Sequence, residues 1–151
     1  PLLSKNRLAP STEVIWIASK TKKYFIDYDT AKMINGGKQM RNLWEINAER
    51  HKTSHPTEKP ETLLERIILL GSKQGDTILD PFTGSGTTGV VAKRLKRNFI
   101  GFEISPEYFE IAQNRINGIS VNGKAVYSEK LLKQDEQLRF FLEERAEYGL
   151  T

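Results

Sequence analysis

The sequence predicts an α/β protein with a mostly parallel sheet. Two short apolar runs, DTILD at 76–80 and NFIGFE at 98–103, have the length and composition of buried strands, and a segment of helical periodicity follows each. A glycine-rich turn at 81–89 joins the first run to its helix. Strand, turn, helix, strand and helix in this order form a βαβ unit, whose strands lie parallel.

The first part of the chain predicts an antiparallel edge to this sheet. EVIWIASK at 13–20 and KKYFIDYD at 22–29 are β-branched and aromatic runs, so residues 1–29 are expected to supply two edge strands. Residues 30–54 lose this pattern around Gly36 and Gly37 and predict a loop or a small insert.

Three helices are predicted further along. Pro60 suits the first position of a helix that Gly71 ends, and this helix carries one apolar stripe: Leu63, Leu64, Ile67 and Ile68. A second helix spans about 88–96 and directs inward Val90, Val91 and Leu95. Ser105 and Pro106 begin the third, in which helical spacing connects Tyr108, Ile111, Ala112 and Arg115.

The last residues, 121–151, predict a helical tail. Its segment 128–147 is amphipathic, with one apolar side: Leu131, Leu138, Phe141 and Leu142. Mixed charges indicate that this helix is partly exposed, so it could pack on the core or against another subunit.

Length and composition bound the function. The 151 residues suit one domain, with 38% hydrophobic and 28% charged residues. No apolar run is long enough to cross a bilayer and no leader is evident, which predicts a cytoplasmic protein. The absence of Cys excludes disulfides and thiolate sites, and no metal site is expected. A net charge of +4 permits a nucleic-acid partner, and Pro1 in place of an initiator Met predicts a fragment or processed chain.

The turn LDPFTGSGTTG at 79–89 is the candidate nucleotide site. Gly84, Gly86 and Gly89 have the spacing of a dinucleotide fingerprint, and an acid, Glu103, follows at about the expected distance. However, Asp80 would face the phosphates of a dinucleotide. S-adenosylmethionine carries an ammonium and a sulfonium but no phosphate, so Asp80 would attract this cofactor instead of repelling it. The alternative is that the glycines only make a tight turn, with Asp80 capping the strand.

The order of HPTEKP at 55–60, DPFTGSGTT at 80–88 and GFEIS at 101–105 resembles the carboxyl-terminal half of a β-class DNA amino-methyltransferase. This family methylates the exocyclic amino group of adenine or, less often, cytosine. The resemblance covers about residues 11–117 and implies a Rossmann-like S-adenosylmethionine-dependent fold, incomplete in this chain, with residues 55–120 as the cofactor-binding region. It implies a prokaryotic DNA-modifying enzyme, part of a restriction-modification system, acting on double-stranded DNA.

The resemblance also implies roles for particular residues. Glu103 binds the ribose of the cofactor, and Thr57 and Lys59 reach its methionine carboxylate. Seven residues line the methionine side: Asp80, Phe82, Gly84, Ser85, Gly86, Thr87 and Thr88. The catalytic tetrapeptide of the family contains a Pro-Pro pair, which this sequence lacks. We therefore expect the catalytic residues outside this chain, the chain alone to be inactive, and the missing half or a second subunit to be a partner.

DNA contacts are expected from residues 30–54, where the family carries its target-recognition segment. The candidates are Lys38, Arg41, Trp44, Arg50 and Lys52, although Trp44 could equally pack on the core. The basic group Lys93, Arg94, Lys96 and Arg97 ends a helix and is interpreted as mainly structural.

Two other functions stay open on the sequence alone. One is an oxidoreductase that uses a nicotinamide dinucleotide, because the glycine spacing also fits that cofactor. The other is a cofactor- or DNA-binding remnant without catalysis, because the chain contains no catalytic constellation.

Overall fold

The computed structural model describes residues 12–47 and 58–118. The elements are α1 (Tyr28–Ile34), α2 (Glu61–Gly71), β1 (Thr77–Asp80), α3 (Thr87–Arg94), β2 (Asn98–Gly101) and α4 (Pro106–Ile116). The strands pair in parallel, with Thr77 opposite Asn98 and Asp80 opposite Gly101. This arrangement confirms the predicted βαβ unit. Within the described ranges, no helix combines the length and apolar character that crossing a membrane requires.

Helix α3 packs on one face of this two-stranded sheet and lies between α2 and α4. The buried core consists of Ile68, Leu69, Val91, Ala92 and Leu95, and Ile78 and Phe99 of the strands pack against it. Val90, Val91 and Leu95 are buried as predicted. On α4, Ala112 and Arg115 are buried, while Tyr108 and Ile111 are half-buried, which confirms the predicted inner side of that helix.

The opposite face of the sheet is open in the described residues. Side chains alternate across a strand, so Leu79 and Ile100 point away from α3, and they are 60% and 50% exposed. The prediction of fully buried strands is therefore correct for one face and wrong for the other. Burial of the second face needs another layer, which residues 12–47 and 58–118 do not provide.

The two predicted edge strands are not found. Residues 12–27 contain no strand, and all their large hydrophobic side chains except that of Ile26 are exposed, with Trp16 89% exposed. The physical reason is that β-propensity expresses packing against neighbouring strands, and no described strand pairs with this segment. The expectation of an antiparallel edge is thus wrong for these residues as the structure has them.

Helix α1 occupies residues that the sequence assigned partly to the second strand and partly to the loop. The Asp27 carboxylate accepts hydrogen bonds from the Thr30 N–H at 2.9 Å and the Thr30 hydroxyl at 2.7 Å, which caps the helix. The Asp27 N–H donates to the Leu70 carbonyl at 3.0 Å, and Thr30 and Ala31 are buried. Only after Ile34 does the chain turn, through Gly36 and Gly37 with positive φ.

The boundaries of α2 shift by one residue. Pro60 is the N-cap and not the first helical residue, and Gly71 is the last helical residue, with Ser72 as the C-cap. The buried side of α2 also differs from the predicted stripe, because it includes two carboxylates, Glu61 and Glu65. The predicted helix at 128–147 lies outside the described residues.

Candidate cofactor site

The glycine turn connects β1 to α3, and each of its glycines has a steric reason. Gly84 and Gly86 have φ of +55° and +85°, a region that other residues rarely adopt. A Cβ on Gly86 would lie 2.8 Å from the Ala112 Cα of α4. A Cβ on Gly89 would lie 2.7 Å from the Phe99 ring of β2. The last glycine therefore permits close packing of helix on sheet, which is one of the roles in the dinucleotide fingerprint.

Two carboxylates stand at the carboxyl ends of the two strands. Asp80 ends β1, and its Oδ1 accepts from the Phe82 N–H at 3.0 Å. Glu103 follows β2, and its Oε2 accepts from the Gly84 N–H at 2.8 Å while its Oε1 accepts from the Ser105 N–H at 2.9 Å. The carboxyl ends of neighbouring parallel strands are the usual ligand position in open α/β sheets. The structure thus brings together the two acids that the sequence predicted for one site.

The contact between Glu103 and Gly84 bears on which ligand this turn can hold. In a diphosphate site, the N–H groups of the glycine turn bind the anionic ligand. Here the N–H of the first glycine already donates to a carboxylate of the protein. A diphosphate at this position would compete for that donor and would be repelled by Glu103. The motif spacing predicts Glu103 near the site, but it contains no signal for this contact.

Exposed apolar side chains follow both acids. Phe82 is 87% exposed and lies two residues after Asp80, and Ile104 is 99% exposed and directly follows Glu103. Large apolar side chains with this exposure offer surface to a flat or apolar ligand group. Phe82 was predicted as a site residue, whereas Ile104 was missed. Its position next to the ribose-binding candidate was the available signal.

The inner side of the turn is polar and buried. Arg115 of α4 donates from Nη1 to the Ser85 carbonyl at 2.7 Å and to the Ser85 hydroxyl at 2.8 Å. The same Nη1 lies 2.7 Å from Glu58 Oε1, which also accepts from the Thr87 hydroxyl at 3.1 Å. The side chains of Ser85 and Thr87 are therefore held by protein groups. Thr88, in the first turn of α3, is half-buried.

Lys59 lies at the surface. Its Nζ is 2.6 Å from Glu13 Oε2, with side chains 52% and 76% exposed. An ion pair with this exposure contributes only about 0–1 kcal/mol, so a ligand carboxylate could replace Glu13 at little cost. Thr57, the other predicted partner of the methionine carboxylate, lies outside the described residues.

Three of the candidate DNA-binding residues, Lys38, Arg41 and Trp44, lie within the described ranges. Lys38 and Arg41 are exposed. The Trp44 indole N–H donates to the Arg41 carbonyl at 2.8 Å, and its ring lies 5.1 Å from the guanidinium carbon of Arg66 on α2. Trp44 is thus half-buried against α2, which corresponds to the packing alternative. Arg50 and Lys52 lie outside the described residues.

The basic group at the end of α3 and just beyond it divides into two kinds of residue. Arg94 pairs with Glu61 at 2.9 Å and with Glu65 at 3.2 Å. Arg97 is buried and donates to the Ser72 and Leu95 carbonyls, each at 2.6 Å. Burial lowers the pKa of Arg97 from its ordinary value, and Asp76 and Asp27 oppose this shift. Lys93 and Lys96 are exposed. The two arginines are structural, as the sequence indicated.

Metal ligands do not cluster in the described ranges, where no group of three or more His, Cys, Asp or Glu residues could hold an ion.

Comparison with known proteins gives the following relatives. Type II methyltransferase M2.DpnII of Streptococcus pneumoniae is 50% identical over 123 residues, which cover 77% of this chain and 46% of the relative. M2.LlaDCHI of Lactococcus lactis subsp. cremoris is 48% identical over 124 residues, which cover 78% of this chain and 46% of the relative. M2.MboI of Moraxella bovis is 40% identical over 126 residues, which cover 80% of this chain and 46% of the relative. The chain spans about half the length of these curated relatives.

Solved structures and a family model agree with these relatives. The PvuII DNA methyltransferase, described as cytosine-N4-specific, superposes with a TM-score of 0.58 at 27% identity over 79% of this chain and 43% of its own. A complex of M1.HpyAVI with SAM is 39% identical, with a TM-score of 0.46, over 62% of this chain and 43% of its own. The model of the DNA methylase family matches residues 1–114. The chain therefore belongs to the DNA methylase family, which confirms the resemblance and the fold class predicted from its motifs.

Proposed function

We propose that this chain is the cofactor-binding part of a DNA methyltransferase and that it binds S-adenosylmethionine at the turn between β1 and α3. The observation that supports this proposal is the position of two carboxylates, Asp80 and Glu103, at the carboxyl ends of β1 and β2, with Glu103 bonded to the glycine turn itself. A site with two anions fits a cationic ligand and opposes a phosphorylated one.

The residues present fit the chemistry of this cofactor. Asp80 would attract its ammonium and sulfonium charges, and Glu103 would accept hydrogen bonds from its ribose hydroxyls. Phe82 and Ile104, which are exposed beside these acids, would contact its apolar surface. Bound there, the cofactor would supply an activated methyl group.

The glycine turn would contribute its backbone. Because Arg115 and Glu58 hold the hydroxyls of Ser85 and Thr87, these residues would contact the cofactor through main-chain atoms, as would Gly84, Gly86 and Thr88. Lys59 would exchange Glu13 for the methionine carboxylate. Thr57 would join Lys59 in this contact.

The proposed reaction transfers the methyl group to the exocyclic amino group of adenine in double-stranded DNA, within a type II restriction-modification system in the cytoplasm of a prokaryote. The similarity to three type II methyltransferases supports this reaction. Identity to the M2 enzymes reaches 50%, against 27% to the cytosine-N4-specific PvuII enzyme, so adenine is favoured over cytosine as the target.

Catalytic groups for this transfer would come from elsewhere. None of the six prolines follows another proline, so the family's catalytic tetrapeptide does not occur in these 151 residues. We propose that the chain alone binds cofactor but does not methylate DNA, and that a partner segment or subunit completes the enzyme. Lys38, Arg41, Arg50 and Lys52 would contribute to DNA contacts, whereas Trp44, predicted with them, packs against Arg66 of α2.

Isothermal titration calorimetry tests cofactor binding. We expect heat on adding S-adenosylmethionine or its demethylated product to the chain, and none on adding NAD. Asp80→Asn should weaken binding at least tenfold. Asp76→Asn is the matched control, because the Asp76 carboxylate also accepts a backbone N–H, from Lys73 at 2.8 Å, but lies at the other end of β1. Binding of NAD alone would exclude this proposal and favour an oxidoreductase.

Methyl transfer is tested with tritium-labelled S-adenosylmethionine and unmethylated DNA of mixed sequence. The chain alone should incorporate no label. The enzyme formed with the proposed partner segment or subunit should incorporate label, and nucleoside analysis of the digested DNA should show N6-methyladenine. N4-methylcytosine would instead establish the cytosine alternative, and label transferred by the chain alone would show that its catalytic groups lie within these 151 residues.

A further inference from the structure

We infer that Glu58 and Arg115 are positioning residues that fix the glycine turn in the shape required to bind the cofactor. This inference rests on the proposed function and assigns roles to two residues for which the motif analysis gave none in the site. We call Glu58, Ser85, Thr87 and Arg115 the clasp. It joins three segments that are distant in sequence: the residues before α2, the glycine turn and α4.

The geometry of the clasp is built on one guanidinium. Arg115 Nη1 lies 2.7 Å from the Ser85 carbonyl, 2.8 Å from the Ser85 hydroxyl, 3.3 Å from the Thr87 hydroxyl and 2.7 Å from Glu58 Oε1. The side chains of Arg115 and Glu58 are only 4% and 10% exposed. Glu58 therefore supplies the nearer of two negative charges to this buried guanidinium, the other being Glu61, whose Oε1 lies 3.8 Å from Arg115 Nη2. Both Glu58 and Arg115 bond directly to the turn.

One peptide plane in the turn is fixed from both ends. The carbonyl of Ser85 accepts from Arg115, and the N–H of the same peptide unit, on Gly86, donates to the Thr83 carbonyl at 2.9 Å. Glycine can adopt many backbone conformations, so a glycine turn without such contacts would lose more entropy when a ligand orders it. Because Arg115 already orders this peptide in the folded chain, the entropy is lost on folding and not when the cofactor binds.

The chain contains a matched control in Arg94. Its side chain is 5% exposed and it pairs with Glu61 at 2.9 Å and with Glu65 at 3.2 Å. This side chain is as little exposed as that of Arg115, but its carboxylate partners lie on α2. One of them, Glu61, is shared, because its Oε1 lies 3.8 Å from Arg115 Nη2. Removing Arg94 should therefore cost stability in the same way as removing Arg115 without releasing the Ser85 carbonyl.

The test compares Arg115→Met, Arg115→Lys and Glu58→Gln with Arg94→Met in the full chain. Hydrogen exchange of the backbone amides at 84–88 is measured without ligand, and affinity for S-adenosylmethionine is measured by calorimetry. We expect Arg115→Met to speed exchange in the turn at least tenfold and to weaken binding at least tenfold. Arg115→Lys should recover part of the protection from exchange and part of the affinity. Glu58→Gln should have effects on both that lie between those of Arg115→Met and the unchanged chain. Arg94→Met should lower the melting temperature but leave the turn's relative protection and the affinity unchanged.

Equal turn exchange and equal affinity in Arg115→Met and Arg94→Met would overturn the inference. Should Arg115→Met fail to fold, Glu58→Gln and Arg115→Lys decide by the same two measurements, since both keep a polar group at the clasp. The hydrogen-exchange comparison needs no ligand, so it tests the role of the clasp separately from the proposed binding of S-adenosylmethionine. A wild-type chain that does not bind S-adenosylmethionine contradicts the proposed function, while unchanged exchange at 84–88 contradicts the clasp.

Discussion

The two faces of the β1–β2 sheet differ in what covers them. On one face, Ile78 and Phe99 pack against the core residues of α2 and α3. On the other, Leu79 and Ile100 are 60% and 50% exposed in the described part of the chain. Both faces nevertheless carry large apolar side chains. The strands therefore have the composition of a parallel sheet with layers on both sides, which is the usual arrangement in α/β proteins.

This difference shows that the apolar composition of a strand does not by itself give the burial of its side chains in the described part of the chain. The apolar character of Leu79 and Ile100 suits strands that are covered on both faces. Among the described residues, 12–47 and 58–118, nothing covers these two side chains. Contiguous apolar surface of this kind marks an interaction site. The chain spans 46% of the length of its M2.DpnII relative. We expect the covered face to govern stability and the open face to govern association.

The largest effect is expected from a charge on the covered face. Val91 is completely buried, so Val91→Asp places an unpaired carboxylate in the core at a cost of several kcal/mol. Because a domain of this size has only about 5–15 kcal/mol of stability, this variant should not fold. Leu79→Asp on the open face should fold. Circular dichroism during heating makes the comparison, and equal melting temperatures for both variants would contradict the assignment of the faces.

A smaller loss is expected where the covered face is most tightly packed. Gly89→Ala places a Cβ 2.7 Å from the Phe99 ring, between α3 and β2, and should cost about 1–3 kcal/mol. Gly71→Ala, at the end of α2, meets nothing within 4 Å and should stabilise the protein by about 0.4–1 kcal/mol. Urea titration measures both free energies of unfolding. A loss in Gly71→Ala as large as that in Gly89→Ala would show that packing is not the cause.

The smallest effect on stability is expected on the open face. Leu79→Thr with Ile100→Thr keeps side chains that suit a strand and removes apolar surface, so the free energy of unfolding should change by less than about 0.5 kcal/mol. Self-association should decrease, as measured by sedimentation velocity over a range of concentrations. Ile78→Thr with Phe99→Thr is the matched pair on the covered face and should be destabilised instead. Unchanged association in the first pair would show that the open face does not mediate it.

The βαβ unit could be predicted from sequence because its signals are local. Strand length, glycine spacing and the Ser105 cap each lie within a few residues of the structure that they specify. The segment at 13–29 could not be predicted in the same way. A strand needs a partner to pair with, and the aromatic run before Asp27 concealed the cap of α1.

The polar side of the candidate site was the least predictable part. The side chains of Glu61, Glu65, Arg94 and Arg115 are at most 10% exposed, although hydrophobic periodicity treats charged residues as exposed. Their contacts join residues about thirty positions apart, a separation at which one sequence contains no pairing signal. The spacing of Glu61 and Glu65, one helical turn apart beside Leu64 and Ile68, was the one local indication.

Backbone pairing between the two strands continues past their ends. The Phe102 N–H donates to the Asp80 carbonyl at 3.0 Å, and the Thr83 N–H donates to the Phe102 carbonyl at 2.9 Å. Asp80 and Glu103 thus project from adjoining rungs of one ladder, and peptide geometry sets the gap between their Cα atoms. Substitutions in the core that preserve the ladder leave this gap unchanged. Removing the negative charge from this edge of the sheet would therefore require substitution of Asp80 or Glu103 themselves.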